Sequence, residues 1–265
     1  MQFQYASDLH LELPENRRFV MNGGIEPAAD CLILAGDIAP VRDIESAAEF
    51  WDWCSANFDR TIFVPGNHDF YGSWCNLEAL LTFESFDIRP NVVCANNAVV
   101  SVGDVDLFCS TLWSALDPRY EGPIVDILLD FHEIAIGDHL LTAGEFNALH
   151  RHCLHFMKQA VADSKSHGCK HRVAVTHHMP TWKVVAPWHK DSPLTSGFAV
   201  DLDDWILEAP FDIWVYGHSH TSIEAEIGAT KILSNQLGYL RASENKEYRR
   251  TKICEAGIHN RALTD

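Results

Sequence analysis

Five short apolar runs in this chain each end in a tight group of Gly, Asp, Asn or His. Residues 3–7 run into Asp8, Leu9 and His10, and residues 31–35 into Gly36 and Asp37. Residues 61–65 run into Gly66, Asn67, His68 and Asp69, residues 172–176 into His177 and His178, and residues 213–216 into Gly217, His218, Ser219 and His220. Apolar runs of this length bounded by turn residues read as strands. In an α/β sheet, ligands gather in the crevice beyond the carboxyl ends of the strands. Five such ends carrying Asp, Asn or His converge on one point, which is the layout of a metal centre.

Length and composition leave room for this. A chain of 265 residues with 47% hydrophobic residues can bury one large core. Without repeats, low-complexity segments or Gly/Ser/Pro-rich linkers, residues 1–265 read as a single domain. No stretch approaches the roughly 18 apolar residues of a membrane span. The first residues already form a strand leading to Asp8 and His10, so a cleaved signal peptide would remove the chemistry. Eight cysteines with no Cys-x-x-Cys pair, among them Cys31 and Cys109 inside apolar runs, fit buried, reduced thiols and a cytoplasmic protein.

A net charge of −17 with no basic block argues against extended nucleic acid as a partner. A small phosphorylated molecule is compatible, because two bound divalent cations would reverse the local field.

The early pattern alternates strands with helices. Residues 43–57 read as an amphipathic helix through Ile44, Ala47, Phe50, Trp51 and Cys54, and residues 74–83 as another. Residues 92–94 and a hairpin of 99–102 with 105–109 follow. Thr142 and Glu145 have capping-box spacing and open a helix to about residue 166. Residues 124–129 fit a helix or a buried strand, and 180–197 a long loop beside the site. A short helix at 201–207 and strands at 222–227, 230–233 and 251–255 complete the pattern. It is α/β with hairpins, hence a mixed sheet system.

Asp8 and His10 are two residues apart, as are His218 and His220; in extended backbone such pairs share a face. Carboxylate and imidazole donors suit Mn, Fe or Zn, not Ca. The candidates Asp8, His10, Asp37, Asn67, His177, His218 and His220 exceed one tetrahedral shell. They suit two ions sharing a bridging carboxylate.

Asp-x-His, Gly-Asp, Gly-Asn-His-Asp, a lone His and Gly-His-x-His, in that order from Asp8 to His220, resemble the calcineurin-like metallophosphoesterases. The resemblance implies a four-layer α/β/β/α sandwich of two mixed β-sheets flanked by helices. It implies one metal on Asp8, His10 and His220, another on Asn67, His177 and His218, and Asp37 between them. It further implies a hydrolase of phosphate mono- or diesters with two divalent or trivalent transition-metal ions and a bridging hydroxide as nucleophile. His68 would contact the phosphate and protonate the leaving group, with Asp69 orienting it and raising its basicity. Neither Gly-x-Ser-x-Gly nor a Walker-type loop is present.

Ser110 to Trp113, His177 to Pro180 and Asn235 to Tyr239 also resemble a bacterial branch of the family, although Gln236 stands where that branch commonly has Pro. Phe70 and Tyr71, with no Arg, follow the third motif, which is unlike the protein phosphatases. His178 should point away from the site by strand alternation, and His150, His152 and His155 should face solvent, as should His132, His139, His167 and His171. Trp51, Trp53 and Trp205 read as core, whereas Tyr71, Trp113, Trp182, Trp188 and His189 are candidates for the mouth. The competing readings are a non-catalytic metal-binding scaffold of the same fold and a nuclease. The complete ligand set opposes the first, and the charge opposes the second.

Overall fold

The structure is a computed structural model that describes residues 1–83, 85–164 and 170–257. The first half contains β1 (Gln2–Ala6), α1 (Pro14–Phe19), β2 (Cys31–Ala35), α2 (Ala48–Asn57), β3 (Arg60–Val64), β4 (Gly72–Trp74), α3 (Leu77–Leu81), β5 (Phe86–Arg89) and β6 (Val92–Cys94). There follow β7 (Ala98–Val102), β8 (Val105–Ser110), α4 (Glu121–Ile127), α5 (Asp130–Glu133), β9 (Ile134–Ile136), β10 (His139–Leu140) and α6 (Ala143–Ser164). The last elements are β11 (His171–Thr176), α7 (Asp203–Glu208), β12 (Ile213–Tyr216), β13 (Ala225–Ile227), β14 (Thr230–Ser234) and β15 (Ile253–Glu255).

Two six-stranded sheets, ordered β15-β1-β2-β3-β6-β5 and β13-β14-β12-β11-β8-β7, dominate the fold. Each has four parallel strands at its centre and an antiparallel strand at either edge. Side-chain alternation along the strands makes two apolar layers. Phe3, Tyr5, Ile33, Ile62 and Val64 join Leu107, Val173, Val175, Ile213 and Val215 in a cluster built from both sheets and free of helical residues. The opposite faces, through Leu32, Leu34, Phe63, Phe108, Ala174 and Trp214, pack with Phe50, Trp51 and Cys54 of α2 and with Phe146, Leu149, Cys153 and Met157 of α6. That is the expected α/β/β/α layering. A third, three-stranded sheet, β10-β9-β4, adds to it.

Local departures have local causes. Residues 41–47 form 3-10 turns before α2 begins at Ala48, because Asp43 breaks helical geometry (φ −132°). The helix expected at 74–83 is confined to α3: Asn76 caps it by accepting from Ala79 N–H at 2.9 Å, and Trp74 belongs to β4. Residues 121–127 resolve to helix. The capping box is present: Thr142 Oγ1 accepts from Glu145 N–H (3.3 Å) and Glu145 Oε2 from Thr142 N–H (2.9 Å). The end expected for that helix near residue 166 lies outside the described residues, as do His167 and Cys169. His150 does not face solvent: it is buried, and its Nδ1–H donates to Trp113 O at 2.7 Å. The 180–197 loop is folded into three short 3-10 turns.

The chain after the last motif returns to its start. β15 pairs antiparallel with β1, Ser7 N–H donates to Asn235 O (3.1 Å), Asn235 Nδ2 donates to Tyr5 O (2.8 Å), and Gly238 N–H donates to Asp8 O (3.1 Å). No described helix is long and apolar enough to cross a membrane.

Candidate metal centre

All seven sequence-derived ligands meet where the carboxyl ends of β1, β2 and β3 face those of β11 and β12. They form two groups that share Asp37: Asp8, His10, Asp37 and His220 in one, Asp37, His177 and His218 in the other. His10 Nε2 lies 3.0 Å from His220 Nε2 and 3.7 Å from Asp37 Oδ2, and His220 Nε2 is 3.5 Å from Asp8 Oδ1. His177 Nε2 is 3.0 Å from Asn67 Oδ1, 3.1 Å from His218 Nδ1 and 3.3 Å from Asp37 Oδ1. The two Asp37 oxygens thus face different groups.

The backbone that presents them is not extended. Asp8, His10, Asp37, His218 and His220 all have positive φ, between 46° and 80°. Each strand ends before its ligands, and a left-handed turn aims the side chains inward; the shared facing holds, but strand geometry is not its cause. Non-Gly residues in this region cost energy and persist only where the surroundings over-determine them. Here those surroundings are cross-loop bonds: Asp8 N–H to Gly36 O and His10 N–H to Asp37 O (both 2.9 Å), and Gly217 N–H to His177 O (3.0 Å). Gly36, at φ +90°, is needed for close approach as well, because a Cβ there would lie 2.1 Å from His177 Nδ1. A Cβ on Gly66 would lie 2.2 Å from Asp37 Oδ1.

Three of the four imidazoles are turned by a partner on their far side; His218 Nε2 is buried without one among the described residues. His10 Nδ1–H donates to Glu12 Oε1 (2.9 Å), His220 Nδ1–H to Glu244 Oε2 (2.6 Å) and His177 Nδ1–H to Ala35 O (3.0 Å). Asn67 Nδ2 donates to Asp130 Oδ1 (2.6 Å), which leaves Asn67 Oδ1 facing the cluster. These bonds point the lone pairs of His10, His177, His220 and Asn67 at one another and at two carboxylates. Asp8 Oδ2 is buried with no hydrogen-bond partner among the described residues. A concentration of acceptors without donors repels itself unless cations or protons fill it, and N/O donors of this kind hold first-row divalent ions. Imidazole nitrogens about 2.0–2.1 Å from one ion come naturally to spacings near 3 Å. The residues present therefore fit two metal ions.

The titration behaviour is that of a site where protons and cations compete. Burial pushes His10 down, but the Glu12 hydrogen bond and the charges of Asp37, Glu12 and Asp8 outweigh it and lift it to about 9. Burial likewise lowers His177, and Asp37 overrides it, to about 9. Asp37 is held well below the usual carboxylate range, against its burial, by His177, His68 and His10. Burial raises Asp130 to about 6, against the hydrogen bonds from Asn67 and Tyr71.

His68 stands beside the cluster. Its ring stacks on Tyr71 (centroids 4.4 Å) and meets His10 edge-on (4.8 Å), and burial pushes it down to about 4. Asp69 does not pair with it. Both Asp69 oxygens accept backbone N–H groups instead: Oδ2 from Asp37 (2.8 Å) and Gly66 (2.7 Å), Oδ1 from Ile38 (2.9 Å). Residue 69 leaves a 3-10 turn, 68–70, with its side chain aimed back at the strand-end loops. It ties the β2 and β3 loops together and, contrary to expectation, does not reach the His68 imidazole.

His178 is buried outside the ligand groups, its ring 4.2 Å from that of His218. Tyr71 and His189 line the cleft, whereas Trp113 is core and Trp182 and Trp188 stand exposed away from the lining. Glu12, Asp130 and Glu244 are site residues that the motifs did not reveal, and Tyr239, the end of the Asn235 stretch, stands beside His10. Only Glu12 carried a signal, its place two residues beyond His10.

Fold and cluster together define an α/β sandwich with a His/Asp cluster that could hold metal at the carboxyl ends of its central strands. The chain belongs to the calcineurin-like phosphoesterase family, whose sequence profile matches residues 1–222. It is 26% identical, over 91% of its length and 92% of the other, to an uncharacterized protein of Acanthamoeba polyphaga mimivirus. Its fold is similar to the crystal structure of a phosphopantetheinyl hydrolase from Mycobacterium tuberculosis, with a TM-score of 0.67 and 16% identity over 94% of both chains.

Proposed function

We propose that this phosphoesterase is a dinuclear-metal-dependent hydrolase of phosphate mono- or diesters and that residues 1–265 work as one catalytic domain on a small phosphorylated substrate. The observation that carries the reading is the pair of acceptor groups sharing Asp37, with His10, His177, His220 and Asn67 each locked by a partner behind it. Two ions bound there, Mn, Fe or Zn, would supply Lewis acidity to the phosphate oxygens and activate water at neutral pH.

The chain's own residues do the rest. Asp8, His10 and His220 would hold one ion, and Asn67, His177 and His218 the other, with Asp37 between. Glu12, Glu244 and the Ala35 carbonyl fix the tautomer and aim of the imidazoles, which sharpens both affinity and geometry. His68 lines the cleft beside Asp37 and Asn67, where a phosphate oxygen would come to rest. Neutral above about pH 4, it donates one ring N–H to that oxygen. It acts as the acid for a departing alkoxide once the bound anion raises its affinity for a proton. A net charge of −17 keeps polyanionic strands away and favours a small substrate. Six buried free cysteines support a reducing, cytoplasmic setting.

Metal analysis, together with hydrolysis of 4-nitrophenyl phosphate beside bis-4-nitrophenyl phosphate under added Mn, Fe, Zn or Ni, tests the reading. Turnover that tracks about two bound ions per chain is the expected result. No hydrolysis with any metal would transfer the weight to a metal-binding scaffold.

A further inference from the structure

The cleft beside the metal centre has a definite chemical character. It encloses about 360 Å³, with Asp37, Asn67, His68, His218 and His220 at its inner end. Its outer walls come from the end of α4 and from the loop that follows β11. Ile127 and Leu129 are set there at 60% and 53% exposure, bare aliphatic groups on the lip of a polar site. Val185, Leu194 and Phe198 supply the apolar surface from the loop. The Thr195–Gly197 turn packs on the same short helix: a Cβ on Gly197 would lie 3.1 Å from Leu128 Cδ1 and 3.5 Å from Ile124 Cγ2. Loop and helix thus form one continuous wall.

Charge in the cleft is one-sided. Among the described lining residues there is no Lys or Arg, and the carboxylates are Asp37, Asp130 and Glu244. The walls therefore carry no fixed positive charge, His189 being their one imidazole among the described lining residues, and the cations would sit at the inner end. A second anionic group further along a substrate would find no Lys or Arg to meet it among the described lining residues. Apolar walls with a few convergent polar groups at one end are the usual form of a site for an organic ligand with a single polar head.

We infer that the substrate carries one phosphate and an uncharged, largely apolar organic body, and that Ile127, Leu129, Val185, Leu194 and Phe198 bind that body. This rests on the phosphoesterase reading and goes beyond it by excluding nucleoside polyphosphates and other multiply anionic esters.

A series of alkyl 4-nitrophenyl phosphates from methyl to hexyl keeps leaving group and charge constant while the body grows; 4-alkylphenyl phosphates serve the same purpose for a strict monoesterase. Under the metal that supports turnover, kcat/KM should rise about fourfold per methylene seated, the equivalent of ~0.8 kcal/mol per buried CH₂. An ω-carboxyhexyl ester should fall at least tenfold below the hexyl ester. Ile127 and Leu129 are solvent-exposed, so the double variant Ile127→Asn with Leu129→Asn tests the wall without opening the core. It should lower the hexyl-to-methyl ratio of kcat/KM at least tenfold. A flat series with measurable methyl-ester turnover overturns the inference and leaves the phosphoesterase intact. Equal rates for hexyl and carboxyhexyl esters overturn its charge component, and a wild-type ratio in the double variant overturns the assigned wall. Absence of turnover for every ester and metal instead overturns the underlying activity.

Discussion

Replacing Gly36 with Ala tests whether close backbone approach builds the centre. The new Cβ would lie 2.1 Å from His177 Nδ1, whereas ordinary contact begins at 3.4 Å, so the ring must withdraw by about 1.3 Å. A side chain at φ +90° adds roughly 1–2 kcal/mol of backbone strain. Withdrawal also breaks the 3.0 Å bond from His177 Nδ1–H to Ala35 O and leaves buried groups unpaired, at about 1–3 kcal/mol. Gly36→Ala should therefore lose about 2–5 kcal/mol and, for a chain of this length, roughly 4–10 °C of Tm. A displacement of that size far exceeds the ~0.2 Å tolerance of a metal–ligand bond. The ion assigned to Asn67, His177 and His218 should be lost while that on Asp8, His10 and His220 stays. The assays are thermal unfolding of chelator-treated protein and metal content after dialysis, with an expected fall from about two ions to about one. Wild-type Tm, or an unstable variant that still binds both ions at wild-type affinity, would refute the reasoning.

Glu244→Ala removes the acceptor behind His220 and should weaken metal binding about 10–100-fold in chelator competition; unchanged affinity would sink the orienting role. His68→Ala should keep both ions and lose about 10²–10⁴-fold in turnover of alkyl esters but little with 4-nitrophenolate as leaving group, and equal losses on both would remove the acid role. Metal loading at pH 7 should expel roughly two protons, because His10 and His177 are both lifted to about 9 in the metal-free cluster and must be neutral to bind. By the same sign, those two protonated rings stabilise the metal-free fold fully below about pH 6.5, and that contribution disappears as pH rises through about 9. Calorimetry in two buffers of different ionisation enthalpy measures the release; none at pH 7 contradicts the shifts.

The candidate ligands were legible because each follows directly on an apolar run, so local pattern and global position coincide. The four-layer sandwich came with the family resemblance, and the alternation of strands and helices agreed with it. What stayed hidden is information the chain does not carry locally. Asp130 and Glu244 look like ordinary surface acids until the fold brings them against Asn67 and His220, 63 and 24 residues away in sequence. Sequence adjacency misled at Asp69, where a 3-10 turn separates the carboxylate from its neighbouring imidazole. It misled again in the supposed extended geometry of Asp8 and His10, since left-handed turns leave no trace in a hydrophobic pattern. The third sheet escaped because strands of two or three residues are too short to show a period.

The return of the chain to β1 bears on how the centre is made during synthesis. All seven ligands have been translated once residue 220 is added, so a nascent chain of that length holds the complete ligand set. It lacks the edge strand β15, the Asn235 bonds to Ser7 and Tyr5, and the Glu244 carboxylate behind His220. The loop that carries Asp8 and His10 therefore waits for residues 235–255 before it is pinned. A chain ending shortly after residue 220 would hold the same imidazoles and carboxylates without the bonds that fix the β1 loop and His220.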